Sequence, residues 1–452
     1  MARGKKKESA LTPEEKLAQA LVPVDEQPYK VPGNWCFFFF TSLIDVEGGT
    51  QPPKSQFIDE PRDGYARLIQ IRDFATDKYT VYVPDTPKMR HLEENDILIA
   101  RYGASLGRIC TGQKGVYNVA LAKTIFSEFV LNRKYVYWML QSETFQNPLT
   151  QLSRTAQAGF NKDDLSGFAM PLAPLAEQQR IVDRIEYLFA KLDEAKEKAQ
   201  SVLDSFETRK AAILHKAFIG ELTAKWRTEH GVEGTWKTST VGDTCHEVKV
   251  GIVIKPSQYY TDAEHGTPAF RSANVRENHI DDFDWVYLND IGMENNKRSI
   301  VHTGDVLVVR SGNPGTACVV SEKFDGYNAI DILIAVPNQN LITPEFLCCY
   351  TNSPFGKNLV SENKRGMALA HFNVKGYSGL PIRIPTLGEQ TEIVRILDSL
   401  FAKEQQAKEA AEAVLEKIDL LKKSILARAF RGELGTNDPT EESALELLKI
   451  II

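Results

Sequence analysis

The chain has 452 residues, 42% hydrophobic and 25% charged, enough for roughly two to four domains each with its own core. No apolar run is long enough to span a bilayer, and the start, Met1-Ala-Arg-Gly-Lys-Lys-Lys7, lacks a secretory signal's apolar stretch, so a cytoplasmic protein with no membrane partner is expected. The formal net charge of −6 argues mildly against binding nucleic acid by bulk electrostatics, so any DNA contact must come from locally placed Lys and Arg or from a partner.

Residues 1–33 read as an N-terminal arm. Thr12-Pro13-Glu14-Glu15 predicts a helix start, with Thr as cap, Pro in the first turn and Glu15 closing a capping box. Pro23 and Pro28-Tyr29-x-x-Pro32 then break it, leaving either a tether to a partner or a frayed terminus. Residues 34–174 form a first globular region. Strand-like runs at Arg67–Ile71, Asp96–Arg101 and Val119–Ala122 precede a helix-like stretch over 135–145. Residues 236–385 repeat that order, with Ala269-Phe270, Asp305–Arg310, Ile330–Val336 and a helix around Pro344 to Tyr350. Both regions are predicted to be mixed α+β.

Each globular region is followed by a nearly duplicated segment, residues 175–222 and 387–434, with a tail at 435–452. Leu175-Ala-Glu-Gln178 matches Leu387-Gly-Glu-Gln390, and Leu188-Phe-Ala-Lys191 matches Leu400-Phe-Ala-Lys403. Ala217-Phe218-x-Gly220-Glu-Leu222 matches Ala429-Phe430-x-Gly432-Glu-Leu434. Ile181, Ile185, Leu188, Leu192, Ala195, Ala199, Val202 and Phe206 alternate steps of four and three, the coiled-coil seam. Ile393, Leu397, Leu400, Ala407, Ala411, Val414, Ile418, Leu421 and Ile425 follow suit. Glu404 stands where Leu192 stood, and either fixes register, faces a polar partner or is tolerated near solvent. Helices of about 40 residues give rods of about 60 Å. Burying their stripes against each other, antiparallel, predicts a pseudo-twofold tandem repeat with the globular regions at opposite ends. Gly220 and Gly432 are the expected helix stops.

These residues resemble a known family. The Pro171-to-Gln178 opening, the helix after it and the closing Ala-Phe-x-Gly-x-Leu are similar to the conserved regions of type I restriction-modification specificity subunits; the second copy, Ile384-Pro-Thr-Leu-Gly-Glu-Gln390, matches a little less closely. The resemblance implies a non-catalytic reader with two target-recognition domains, 34–174 and 236–385, each reading half of a split, asymmetric DNA sequence. It also implies that the helices set the spacer and dock two copies of a DNA adenine methyltransferase subunit, with translocating restriction subunits joining the complex. The N-terminal arm departs from the pattern, since only some members carry one. A coiled-coil scaffold whose paired domains bind proteins is the alternative.

Base reading in the major groove calls for donor and acceptor side chains on exposed loops. Arg101-Tyr102-Gly-Ala-Ser105-Leu-Gly-Arg108 corresponds to Arg310-Ser311-Gly-Asn313-Pro-Gly-Thr316, where glycines permit close approach and arginine suits guanine or phosphate. Further candidates are Lys114, Asn118 and its counterpart Asn328, Arg72 and Asn274, Arg154 and Lys162, and Lys364, Arg365 and His371. Each has a bland alternative as a turn or capping residue. Glu177, Gln178, Glu389 and Gln390 open the helices, where acidic side chains suit the dipole. Phe189, Phe218, Phe401 and Phe430 occupy matching places. These eight are candidates for core or for methyltransferase docking.

No catalytic constellation stands out. There is no Gly-rich phosphate loop with Lys-Ser/Thr. Pro52-Pro53 follows Thr50-Gln51 and lacks the Asn/Asp-Pro-Pro-aromatic pattern of an adenine methyltransferase. Glu362-Asn-Lys364 has a spacing seen in nucleases but no convincing acidic partner. Six cysteines and eight histidines show no zinc or disulfide spacing, so reduced thiols, no metal and no cofactor are expected.

Overall fold

Val306–Val309 is an unbroken apolar strand because it has protein on both faces. Val306 and Val308 enter one hydrophobic cluster, with Ala317, Leu333 and Ala335. Leu307 and Val309 enter another, with Cys318, Ile332 and Ile334. The period of two thus sorts one run into two cores. The strand lies in a computed structural model that describes residues 12–155, 159–232, 236–357 and 373–451.

The chain divides into two compact units, residues 1–199 with 413–452 and residues 200–412, and the division falls inside both long helices. The units share one strand plan. In unit 1 an antiparallel sheet runs Asp45–Gly48, Leu121–Ile125, Leu98–Ala100, Ile109–Cys110; in unit 2 the same order is Cys245–Val250, Ile332–Pro337, Val306–Val309, Ala317–Val319. A second sheet in each contains one parallel pair, Tyr65–Ile69 with Gly115–Tyr117 and Thr267–Phe270 with Asn328–Ala329. A two-stranded ribbon carries the chain into each conserved helix: Cys36–Phe39 pairs with Ala169–Leu172, and Lys237–Thr240 with Pro381–Ile384. Both units are therefore α+β, and the repeat visible in the helices extends through the sheets.

The helices pack antiparallel within each unit. In unit 1, Ile181, Val182 and Ile185 share a core with Leu426, Ala429 and Phe430, while Lys422 pairs with Asp193 at 2.6 Å. In unit 2, Ile393 and Leu397 share a core with Leu214, Ala217 and Phe218, while Arg209 reaches Glu404 at 2.8 Å. Glu404 is thus a paired seam residue. The second helix is continuous over Leu387–Ala429, about 65 Å long. The first is interrupted at Ser205, between Leu175–Asp204 and Phe206–Phe218. Ser205 Oγ bonds back to the Ser201 carbonyl at 2.6 Å, and Arg209 donates to the Val202 carbonyl at 3.2 Å. Not every predicted seam position is covered: Val414 and Leu421 are exposed, as is Ala407. Gly220 and Gly432 end the helices with φ of 81° and 75°, where side-chain-bearing residues are strained.

The arm is helical over Pro13–Ala20, and Thr12 and Glu15 form the capping box. It is not frayed over the described residues. Ala20 and Val22 are buried, Leu21 bridges to Phe38, and Tyr29 lies edge-on to Phe37 at 5.2 Å with its hydroxyl 2.7 Å from Thr144 Oγ1. Burial pushes the Tyr29 phenol up to about 12. Among the described residues no helix is long and apolar enough to cross a membrane.

Candidate nucleic-acid interface

The loops that leave the central strands converge on one arginine in each unit. In unit 1 that residue is Arg101, directly after Leu98–Ala100. Its Nε and Nη2 donate to the Phe160 carbonyl at 3.1 and 3.0 Å, and its guanidinium lies over the Tyr102 ring at 5.1 Å. A Cβ on Gly48 would come within 2.8 Å of Arg101 Nη1, and one on Gly159 within 2.3 Å of the Arg101 carbonyl. Glycine is required at 159, where φ is 79° and the contact is with backbone, whereas at 48 a side chain would displace the Arg101 guanidinium. In unit 2, Arg310 Nη1 donates to Asp331 at 2.7 Å, with only 15% of the arginine side chain exposed. Ser311 Oγ adds 3.3 Å to the same carboxylate. The Asp331 amide donates to the Ile252 carbonyl at 3.0 Å, with φ of 51°. Asp331 therefore ties the segment after residue 310 to the segment after residue 252.

This geometry changes the role of both arginines. The sequence offers Arg101 and Arg310 to guanine or phosphate, but both guanidiniums are turned inward as loop latches. Asn274, Asn328 and Thr316 are corrected outright, because all three are buried. Asn274 accepts from the Arg271 amide at 2.9 Å and donates to the Phe283 carbonyl at 2.8 Å, and so braces the backbone turn over residues 271–274. Asp73 fills the matching place in unit 1, accepting from the Gln70 amide at 2.7 Å, and burial raises its carboxyl above the ordinary value. Asn328 is held by the Ala329 amide at 2.9 Å and the Asn296 carbonyl at 3.3 Å.

The remaining candidates are more accessible. Arg72, Tyr102, Arg108, Lys114, Lys162 and Asn313 are exposed, while Ser105, Asn118 and Ser311 are half-buried. Arg72 rests on Tyr79 at 5.3 Å, Lys114 pairs with Glu93 at 2.8 Å and Lys162 with Asp45 at 2.7 Å. Asn118 accepts from the Ala120 amide at 3.2 Å. Lys364, Arg365 and His371 lie outside the described residues, as does the side chain of Arg154.

A family model, the type I restriction modification DNA specificity domain, matches residues 32–203 and again residues 233–417. The chain belongs to that family. Similar curated proteins include the type I restriction enzyme EcoKI specificity subunit of Escherichia coli K12, 26% identical over 441 residues and covering 90% of each chain. The EcoBI specificity subunit of Escherichia coli is 24% identical, covering 89% of this chain and 86% of its own. Among solved structures, the HsdS subunit of Thermoanaerobacter tengcongensis superposes with a TM-score of 0.66 at 18% identity, covering 91% of this chain and all of the other. That last likeness is one of fold.

The residues that give this specificity-family chain its duplicated helix openings lie inside the units. Gln178 donates to the carbonyls of Val130 and Ala173 at 2.9 Å and accepts from the Asn132 amide at 2.7 Å. Gln390 repeats this with Leu341 at 2.9 Å, Pro385 at 3.0 Å and Thr343 at 2.8 Å. Each glutamine thereby fixes the N-cap of a globular-region helix, Arg133–Gln141 or Pro344–Asn352. Glu177 accepts from Trp35 Nε1 at 2.7 Å and Asn437 at 2.8 Å. Glu389 accepts from Thr223 at 2.6 Å, Trp236 at 3.2 Å and Arg227. At most 1% exposed, these four do not offer a surface for docking in this conformation. Phe218 packs on Phe346 and Tyr350, and Phe430 on Tyr135, so both are core. Phe189, between Trp138 and Lys422, and Phe401 remain half-buried.

Proposed function

We propose that this chain is the DNA-specificity subunit of a type I restriction-modification assembly, each unit reading one half of a split, asymmetric target through its loop cluster. The carrying observation is that one family model matches twice, once over each unit's globular region, on scaffolds whose first sheets have the same strand order and whose loop residues differ. One scaffold with two loop sets suits two unlike half-sites. The antiparallel helices set the gap; a rod of about 60 Å spans under two turns of B-DNA at ~34 Å each. Two adenine methyltransferase subunits dock on the helices and supply much of the phosphate neutralisation that a chain of net charge −6 lacks, and restriction subunits join that complex.

The test is selection from random duplexes with the purified chain and an adenine methyltransferase subunit. Enrichment of two short motifs at a fixed gap is expected; complexes that form without DNA preference would replace this reading with a protein-binding scaffold.

A further inference from the structure

The loop that opens each unit's recognition face has the same length and the same anchors in both units. Gly49-Thr-Gln51-Pro52-Pro53-Lys54-Ser-Gln-Phe57 corresponds residue for residue to Gly251-Ile252-Val253-Ile254-Lys255-Pro256-Ser-Gln-Tyr259. Both begin on a glycine pressed against backbone: a Cβ on Gly49 would lie 2.2 Å from the Asn118 carbonyl, and one on Gly251 2.3 Å from the Ala329 carbonyl. Both pass into a short 3-10 turn, Lys54–Gln56 or Pro256–Tyr259. The anchors agree, but the exposed residues between them do not.

In unit 1 the tip is polar, with Gln51 exposed and Pro52 buried. In unit 2 the same positions hold Val253 and Ile254, 49% and 76% exposed. The backbone that leads into them is fixed in place. Gly251 and Ile252 donate to the Ile332 and Ala329 carbonyls at 2.8 Å, and Asp331 donates back to Ile252. Lys255 then takes φ of 42°, a left-handed conformation rare for a side-chain-bearing residue. Lys255 itself is exposed. Two stiff β-branched side chains are thus displayed next to a cation, on the loop that Asp331 links to Arg310.

We infer that Val253 and Ile254 read the unit 2 half-site by apolar contact with thymine 5-methyl groups in the major groove, with Lys255 meeting the neighbouring phosphate. This rests on the proposed function. Thymine is the base that presents a methyl group there, and a β-branched apolar side chain complements it without a hydrogen bond. Gln51 at the matching place suits a different base edge, as two unlike half-sites require.

The experiment uses the full chain assembled with its methyltransferase subunit, and duplexes carrying the selected target. Thymines in each half are replaced one at a time by deoxyuridine, which removes only the methyl. At least one replacement in one half should weaken binding about fourfold, the ~0.8 kcal/mol of one buried methyl. In Ile254→Ala or Val253→Ala that replacement should cost nothing further, while selectivity in the other half is unchanged. Deoxyuridine without effect throughout both halves would overturn the inference and leave the split-target reading intact. So would variants that weaken methyltransferase assembly instead of half-site selectivity. Failure to enrich any split motif would remove both. Ile254 is mostly exposed, so unchanged circular dichroism is expected to exclude misfolding.

Discussion

Glu177 and Glu389 are the same residue written twice, yet their sockets are closed by different pieces of chain. In unit 2 the closing groups, Thr223, Arg227 and Trp236, come from one stretch of the chain. In unit 1 they come from both ends of the molecule: Trp35 near the start, and Thr436 and Asn437 near the finish. The Asn34 carbonyl accepts from the Ala444 amide at 2.8 Å, and Arg180 holds Glu441 at 2.8 Å. A covalent connection in one unit is matched by a non-covalent clasp in the other. The lesson is that unit 1 depends on its termini in a way that unit 2 does not.

The largest effect expected from that difference is on removal of residues 435–452. It strips Ala444 and Leu448, both fully buried, from the unit 1 core and opens the Glu177 socket. A loss of at least ~3 kcal/mol is expected from the apolar burial alone. Hydrogen exchange should rise across residues 34–199 and stay unchanged across 236–385.

A substitution at the glutamates sharpens the comparison. Glu389→Gln leaves the half-buried Arg227 without its carboxylate, a break of the kind that costs ~3 kcal/mol or more when buried. Glu177→Gln keeps an oxygen for both Trp35 and Asn437, which share Oε2, and loses only the long hydrogen bond from the neutral Thr436 hydroxyl, a loss of ~1.5 kcal/mol. Denaturant melts should therefore rank Glu389→Gln as the more damaging. Equal losses would contradict the account of the two sockets.

The smallest effect is one of pH. The hydrogen bond from Arg180 holds the Glu441 carboxyl below its ordinary value. A depressed folded-state value means the clasp contributes fully above the unfolded carboxylate range, near 4.3, and is lost as pH falls through the lower folded value. The pair is partly exposed, so the contribution is small. Glu441→Gln should flatten the acid limb of unit 1 unfolding.

Much of the architecture was legible in the sequence. The run Asp305–Arg310 reads as a strand because both faces are buried, and it is one over Val306–Val309. Thr12 and Glu15 read as a capping box because that spacing is local and self-sufficient. What could not be read is which copy packs on which. Phe218 and Phe430 sit in identical sequence, and repetition shows that they are equivalent, not that Phe430 crosses the chain to Tyr135. The candidate site suffered from the same limit. Asn274 and Asn328 look like readers, since an amide at a strand end serves a base edge and a backbone turn equally well. Arg310 looks free until Asp331, twenty-one residues on and at positive φ, is brought beside it.

The central claim is that each unit reads its own half of the target, and the latches provide the most direct measurement. Arg101→Ala and Arg310→Ala, each assembled with the methyltransferase subunit, are to be compared with the unaltered chain by selection from random duplexes. Each variant is expected to blur one half of the enriched motif, a different half for each, with the gap unchanged. Both variants blurring the same half, or either degrading both halves equally, would contradict the account.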